Sequence, residues 1–141
     1  MISRSFSADE FDCHDGTCVP VSLLPNLSRL VHTVLQPLRK EWGAPIIIVS
    51  GYRSAAWNER VGGAKRSTHL TMDAADVRTV RIEDIPDLLE ALLVMLGRPG
   101  ALAGLGGLGI YPRWLHLDTR KASDGHLRRW TGSGVGSEPE S

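Results

Sequence analysis

Two histidines and an aspartate are the residues of this chain whose types and order best suit metal chemistry. His69 and Asp76 lie seven positions apart, and His116 follows forty positions after Asp76. Two imidazoles and a carboxylate can hold a zinc ion on three sides and leave a fourth position open, which is the ligand set of a catalytic site rather than a structural one. We therefore predict that His69, Asp76 and His116 bind one zinc ion.

An ordered series of motifs surrounds these three residues. The segment Ser50-Gly51-Tyr52-Arg53-Ser54 comes first, then Asn58 and the segment Val61-Gly62-Gly63-Ala64. The His69 and Asp76 motif follows over residues 67–76, and the segment Trp114-Leu115-His116-Leu117-Asp118 closes the series. The motifs together are specific, whereas each motif alone is not.

This series resembles the zinc D-Ala-D-Ala carboxypeptidases and their L-alanyl-D-glutamate endopeptidase relatives, which share a metal-site fold with the hedgehog signalling domain. The resemblance extends from Phe6 to Trp130. Ser67, His69, Ala74 and Asp76 match the family element Ser-x-His-x-x-Gly-x-Ala-x-Asp, and Met72 stands where the family usually has glycine.

The resemblance implies hydrolysis of peptide bonds in peptidoglycan stem peptides by a metal-activated water, with one zinc ion as cofactor. Zinc lowers the pKa of a bound water to about 7 and polarises a carbonyl. The cleaved bond could join two D-Ala residues or L-Ala and D-Glu. The alternative is a zinc-binding module of the same fold without peptidase activity, such as a phage structural or tail-associated protein.

A peptidase also needs a base that takes the proton of the attacking water. In several relatives an Asp or Glu three residues before the third ligand supplies this base, but Arg113 occupies that position here. Asp118 is our candidate for the catalytic base, two residues beyond His116 on the same strand face. Its alternative role is to orient the His116 imidazole by a hydrogen bond.

Three further side chains are predicted to bind substrate. The resemblance places Arg53 beside the metal, where its planar donors would meet a substrate carboxylate or the developing oxyanion, so we also count it as catalytic. Its alternative is a structural salt bridge. Ser67 either binds substrate or caps a turn, and Trp114 either lines the cleft or covers the edge of the metal.

The elements that position these residues follow from hydrophobic spacing. Residues 23–42 show helical periodicity and predict an amphipathic helix that is kinked at Pro37 and ends at Gly43. The β-branched run at residues 45–50 predicts a buried strand, after which Ser54 caps a short helix through Arg60.

The seven-residue spacing of His69 and Asp76 would place them on opposite faces of a straight strand, so a turn at residues 71–73 must re-aim the chain. A strand over residues 74–79 follows, with Ala75 and Val77 buried. Residues 83–96 predict a second helix, and residues 97–109 a flexible glycine-rich loop that enters a strand at 108–111.

Residues 114–118 alternate, with Leu115 and Leu117 on one face and Trp114, His116 and Asp118 on the other. With the resemblance, this pattern implies an α+β fold in which a small antiparallel sheet carries the ligands on one face and packs helices on the other.

Cys13 and Cys18 flank the segment His14-Asp15-Gly16-Thr17. If Asp15 and Gly16 form a two-residue hairpin loop, the two cysteines face each other within disulfide range. Their redox state depends on the compartment.

Length and composition bound the remaining possibilities. The chain is long enough for one domain, which we place at residues 1–130, followed by a polar tail at 131–141 that we expect to be disordered. Sixteen basic and sixteen acidic side chains give no support to nucleic-acid binding. We expect the late basic residues to form a solvated face, with contact to an anionic polymer as the alternative: Arg113, Arg120, Lys121, Arg128 and Arg129.

No stretch has the apolar length of a signal peptide or of a membrane span. We therefore expect the protein to be made in the cytoplasm without a signal peptide and not to insert into membranes. It would then reach the cell wall through a phage or through lysis. We also expect it to be a monomer.

Overall fold

The computed structural model describes residues 1–133 of the chain and shows one five-stranded sheet flanked by helices. The strands are β1 (Ile46–Ser50), β2 (Ala74–Thr79), β3 (Gly107–Ile110), β4 (Leu115–Asp118) and β5 (Arg128–Thr131). Their order in the sheet is β1-β2-β4-β3-β5, and every pair is antiparallel except β3 and β5, which are parallel. The predicted α+β class is confirmed.

The helices are α1 (Leu24–Leu30), a π-helical segment (Val31–Leu35), α2 (Gln36–Trp42), α3 (Ala55–Arg60) and α4 (Ile85–Leu96). The first three follow one another without a break and form the helix predicted over residues 23–42. A π-helical segment lies just before Pro37, where a kink was predicted, and in it the Gln36 N–H donates to the Val31 carbonyl five residues back. Proline has no N–H and crowds the preceding turn, and a wider π turn accommodates it.

One face of the sheet packs against the helices and forms the core. Its buried side chains from the strands are Ile46, Ala75, Val77, Leu108, Leu115 and Leu117. The helices contribute Leu27, Leu30, Val34, Leu38, Leu88 and Leu92, among others. Because side chains alternate along a strand, the residues between these positions, including Asp76 and His116, lie on the opposite face.

Three expectations for the elements need correction. β1 lies at an edge of the sheet, so its three middle residues are half-buried rather than buried. The segment predicted as a flexible loop is anchored to the core by the buried side chains of Leu102 and Leu105. Strand β5 was not predicted, and Thr131 at its end pairs with Ile110, so the sheet continues past residue 130. Residues 134–141 of the predicted tail lie outside the described residues.

The predicted facing pair of Cys13 and Cys18 is wrong. The Cys13 N–H donates to the Thr17 carbonyl and the Gly16 N–H donates to the Cys13 carbonyl, so the loop contains three residues rather than two. Gly16 takes φ 91°, as the last residue of such a loop requires. The shift of register moves Cys18 away from Cys13, and both cysteines are free thiols.

No helix within residues 1–133 is long and apolar enough to cross a bilayer.

The turn predicted at residues 71–73 is confirmed, and it has an unusual residue at its centre. The Met72 N–H donates to the His69 carbonyl and the Asp73 N–H to the Thr68 carbonyl. Met72 has φ 56° and a fully buried side chain in the core. The left-handed conformation explains why glycine suits this position in the family, since it costs a residue with a Cβ roughly 1–2 kcal/mol. Burial of the methionine side chain offsets that cost.

Substitution of Met72 separates these two effects. We expect both Met72→Ala and Met72→Gly to be less stable than wild type, because loss of a buried Met side chain costs about 2–5 kcal/mol. The glycine variant should be the more stable of the two by about 1 kcal/mol, because it alone relieves the left-handed backbone. Urea unfolding measures both differences. A glycine variant less stable than the alanine variant would contradict the strained turn.

Candidate metal centre

The three predicted ligands meet on the face of the sheet opposite the helices. One ligand atom from each of His69, Asp76 and His116 can be chosen so that all lie within 4.8 Å of one another, and all three side chains are fully buried. Asp76 Oδ2 lies 3.1 Å from His69 Nε2, and Asp76 Oδ1 lies 2.9 Å from His116 Nδ1. The carboxylate therefore sits between the two imidazoles.

Strand register places Asp76 and His116 directly opposite each other. The pairing of β2 with β4 joins Asp76 to His116, and one row of paired residues runs from there through β3 and β5 and, after a register shift between Ile48 and Ser50, into β1. We call this set the ligand row, and its members are Ser50, Asp76, His116, Gly109 and Trp130. His69 reaches the row from the loop before β2, where the turn at Met72 re-aims the chain.

A backbone carbonyl fixes the ring of His69. His69 Nδ1 lies 2.6 Å from the Gly51 carbonyl oxygen, which can only accept, so Nδ1 carries the proton and Nε2 is left to bind a metal. Gly51 can take this position because it has no Cβ. A Cβ there would come within 2.7 Å of the Phe11 backbone, against which Gly51 packs. The first motif of the series thus positions the first ligand through its backbone.

A carboxylate fixes the ring of His116. His116 Nε2 lies 2.7 Å from Asp118 Oδ2, on the opposite side of the ring from Asp76. This leaves Nδ1 as the atom that faces Asp76 and the metal position. Imidazole ligands in metal centres commonly have their second nitrogen held by a carboxylate or a carbonyl, and both forms occur here.

Two buried atoms of the cluster show that the residues fit a cation. Within residues 1–133, His69 Nε2 and Asp76 Oδ2 are buried and have no hydrogen-bond partner, although they lie 3.1 Å apart. With the His69 proton on Nδ1, both atoms are acceptors. Buried polar atoms are rarely left in this state. A metal ion bound by both atoms would satisfy them, and imidazole with carboxylate suits zinc.

The electrostatics of the cluster favour opposite charges on its members. Burial raises the pKa of Asp76, but the charge of His69 and the hydrogen bond from His116 outweigh it and hold the pKa below its ordinary value. Burial lowers the pKa of His116, but hydrogen bonds to Asp118 and Asp76 reverse the effect and raise it. Basic and acidic side chains therefore alternate along the contacts, in the order His69, Asp76, His116 and Asp118.

Asp118 is enclosed by donors. Besides His116, it contacts the Arg128 Nη2 atom, which lies 2.5 Å from Oδ1 and 2.6 Å from Oδ2, and the Arg120 N–H donates to Oδ1 over 2.9 Å. Burial raises the pKa of Asp118, but His116 and Arg128 outweigh it and lower the pKa. Arg128 was expected on a solvated face, but its side chain is partly buried against Asp118. Arg120 is exposed as expected, and only its backbone N–H contacts Asp118.

Arg53 and Ser67 lie beside His69. The Arg53 side chain is fully buried, its backbone N–H donates to the His69 carbonyl, and its Nη1 donates to the Asn58 side-chain oxygen over 3.3 Å. Gly63 leaves the space for this pair, because a Cβ there would overlap the Asn58 amide. Ser67 Oγ accepts a hydrogen bond from the His69 N–H and so caps the turn that carries the ligand.

Trp114 belongs to an aromatic group next to the centre. Its ring stacks on Tyr111 with centroids 4.7 Å apart, and 7% of its surface is exposed. The Trp130 Nε1–H donates to the Tyr111 hydroxyl over 3.0 Å. Arg113 lies in the exposed turn between Tyr111 and Trp114, so no carboxylate occupies the family's position for the base.

The comparison with protein families agrees with this geometry. A family model described as Peptidase M15 matches residues 4–118, most of the chain. The chain belongs to the Peptidase M15 family. Among curated proteins and among solved structures, no match to the chain was found.

M15 membership makes the protein a metallopeptidase by family, and its members depend on zinc. The match contains all three ligands and ends at Asp118, so it does not include β5. Arg128 and Trp130 are the residues of the centre that our sequence analysis did not find. The sequence signal that they offer is weak: Arg128 and Trp130 lie two positions apart, as do Gly107 and Gly109, with which they pair.

Removal of the central ligand tests the M15 metal centre. We expect wild type to bind about one zinc ion per chain, and Asp76→Ala to bind zinc at least tenfold more weakly, since removal of even a supporting residue commonly costs about 10–100-fold. Elemental analysis after dialysis measures the bound metal. His126→Ala is the control, because the His126 side chain is exposed and, among the described residues, its ring contacts Asp124 rather than the cluster. Equal metal content in Asp76→Ala and wild type would contradict the assignment.

Proposed function

We propose that the protein is a zinc-dependent peptidase that hydrolyses peptide bonds in peptidoglycan stem peptides. The observation that carries this proposal is the His69, Asp76 and His116 cluster, in which two buried ligand atoms have no hydrogen-bond partner within residues 1–133. M15 membership supports the reaction class. The stem-peptide substrate follows from the resemblance to the D-Ala-D-Ala carboxypeptidases and their endopeptidase relatives.

The three ligands would hold zinc through His69 Nε2, Asp76 and His116 Nδ1. When bound, zinc supplies a Lewis acid for the scissile carbonyl and a hydroxide source near neutral pH. Gly51 and Asp118 hold the two imidazole rings with these nitrogens directed at Asp76, so the site needs little rearrangement to bind the metal.

Arg53 is our candidate for recognition of negative charge on the substrate. Its guanidinium is buried next to the turn that carries His69, and a buried cation interacts strongly with an anion because water screens it poorly. Asn58 fixes one end of the guanidinium. A stem peptide offers a terminal carboxylate or the D-Glu carboxylate, and either suits the planar donors of arginine.

Asp118 is proposed to orient His116 rather than to act as the base. Its two oxygens already contact three donor groups: His116 Nε2, the Arg120 N–H and Arg128 Nη2. A carboxylate so occupied is a poor acceptor for the proton of a water. Its position on the far side of the His116 ring from Asp76 agrees with the orienting role.

Mass spectrometry of muropeptides tests the proposed reaction. We expect zinc-loaded wild type to release fragments that end at a defined stem-peptide bond, with D-Ala release for a carboxypeptidase and cleavage between L-Ala and D-Glu for an endopeptidase. Asp76→Ala should release none, and His126→Ala should match wild type. Intact muropeptides after incubation with zinc-loaded wild type would overturn the peptidase proposal.

A zinc-binding module without peptidase activity is the second candidate, and the exposed Arg113 in the position of the family's base favours it. Both candidates predict zinc binding. Only the module predicts zinc-loaded protein that leaves every stem-peptide bond intact and still sediments with purified peptidoglycan. Zinc content, fragment release and sedimentation on one preparation therefore separate the two.

Substitution of Asp118 distinguishes an orienting carboxylate from a base. We expect Asp118→Asn to bind zinc about 10–100-fold more weakly, as for loss of a carboxylate behind a ligand imidazole. Turnover should recover when excess zinc fills the site, because a positioning residue lowers the fraction of protein that holds the metal and does not itself take the proton of the water. Peptide cleavage is assayed at increasing zinc, with zinc affinity measured in parallel. Turnover that stays lost at full zinc occupancy would instead assign Asp118 as the base.

A further inference from the structure

Two side chains from β5 cross the neighbouring strand β3 and reach His116 and Asp118 of β4. In the ligand row, Trp130 lies beyond Gly109 from His116. Two residues along each strand, Arg128 lies beyond Gly107 from Asp118. Each long side chain on β5 thus contacts its β4 residue over a glycine.

Glycines at these two positions make the crossing possible. A Cβ at Gly107 would overlap both Asp118 Oδ2 and Arg128 Nη2. A Cβ at Gly109 would lie 2.7 Å from Trp130 Nε1 and 2.8 Å from an indole ring carbon. Glycine inside a strand commonly marks a site where other groups approach the backbone closely, and β3 has such a site at both positions.

The contact of Arg128 with Asp118 is the stronger of the two crossings. Arg128 Nη2 lies 2.5 Å and 2.6 Å from the two carboxylate oxygens, and Asp118 is fully buried. Arg128 Nε donates to the Arg120 carbonyl over 2.8 Å, so the guanidinium is held at both ends. A buried carboxylate needs such a partner. Arg128 therefore fixes the carboxylate that fixes the His116 ring.

The contact of Trp130 with His116 is direct. The ring centroids lie 5.1 Å apart, and the Trp130 indole is anchored by its hydrogen bond to the Tyr111 hydroxyl. The Arg128 guanidinium carbon lies 5.2 Å from the centroid of the same indole, within the range of a cation–π contact. Arg128 and Trp130 thus support each other as well as His116.

We propose that β5 is a positioning element for the metal centre, with Arg128 and Trp130 as positioning residues that set the orientation of the ligand His116. The inference rests on the metal centre of the proposed function. It concerns a strand that lies beyond the region matched by the M15 family model. Backbone bonds fix the strand, with the Arg128 N–H on the Gly106 carbonyl and the Gly132 N–H on the Ile110 carbonyl.

The experiment compares zinc affinity among variants of β5 in the full chain by competition with a chromophoric chelator. We expect Arg128→Gln and Trp130→Ala each to bind zinc about tenfold more weakly, at the low end of the range for residues that support a metal ligand. Arg128→Lys should lie closer to wild type than Arg128→Gln, because it keeps a cation beside Asp118. Arg129→Gln is the matched control, since Arg129 is the exposed neighbour on the same strand and loses the same charge.

A spectroscopic measurement separates positioning from general loss of stability. Cobalt in place of zinc reports ligand geometry through its visible absorption, so Arg128→Gln and Trp130→Ala should shift that spectrum while Arg129→Gln should not. Melting of the metal-free proteins gives their stabilities independently. Should Arg128→Gln fail to fold, Trp130→Ala decides the question, because an unchanged zinc affinity and cobalt spectrum in that variant would overturn the positioning role.

Gly107→Ala tests the crossing without removing either partner. An added Cβ must separate Asp118 from Arg128, so we expect zinc affinity to fall as in Arg128→Gln. The double variant Gly107→Ala with Arg128→Gln should fall no further than the larger single effect, because both changes break one contact.

The outcomes distinguish this inference from the proposed function. Wild type that binds no zinc would overturn both. Wild type that binds zinc, with affinity and cobalt spectrum unchanged in Arg128→Gln and Trp130→Ala, would overturn the positioning role of β5 alone. Weaker zinc binding and a changed spectrum in both variants, with Arg129→Gln like wild type, would support it whether or not the protein cleaves stem peptides.

Discussion

The register between β2 and β4 is the constraint on which the rest of the metal centre depends. It sets Asp76 directly opposite His116. A slip by one residue would turn Asp76 toward the helices and bury its carboxylate among aliphatic side chains. The apolar face prevents this slip, because the same change would turn the buried Ala75 and Val77 of β2 out of the core, and full burial of a valine side chain contributes about 1.5–3 kcal/mol. The packing of the core thus fixes the polar face.

The parts of the site that follow a local period could be predicted from the sequence. Alternation over residues 114–118 predicted that His116 and Asp118 share a face, since a strand has a period of two whatever it pairs with. The odd spacing of His69 and Asp76 predicted the turn at Met72, although not its left-handed backbone. Only the family resemblance predicted that His116 lies next to His69 and Asp76, because no local pattern in the sequence indicates which strands pair.

The parts that depend on distant contacts could not be predicted. Strand β5 is short, half-exposed and joined in parallel to β3, and its role is visible only once Gly107 and Gly109 are seen beneath its side chains. The predicted length of the loop between Cys13 and Cys18 was wrong for a similar reason. An Asp-Gly pair fits two-residue and three-residue loops alike, and the longer one occurs here, where the Ser54 hydroxyl donates to the Asp15 carboxylate from a distant helix cap.

Asp118 shows how the chemistry of this centre separates into binding and catalysis. A carboxylate offers about four acceptor sites. Asp118 makes four contacts, one each with His116 and the Arg120 N–H and two with Arg128. Taking a proton from water would break one of these contacts and weaken the hold on the His116 ring. The contacts that would let Asp118 support a bound metal therefore make it a poor base.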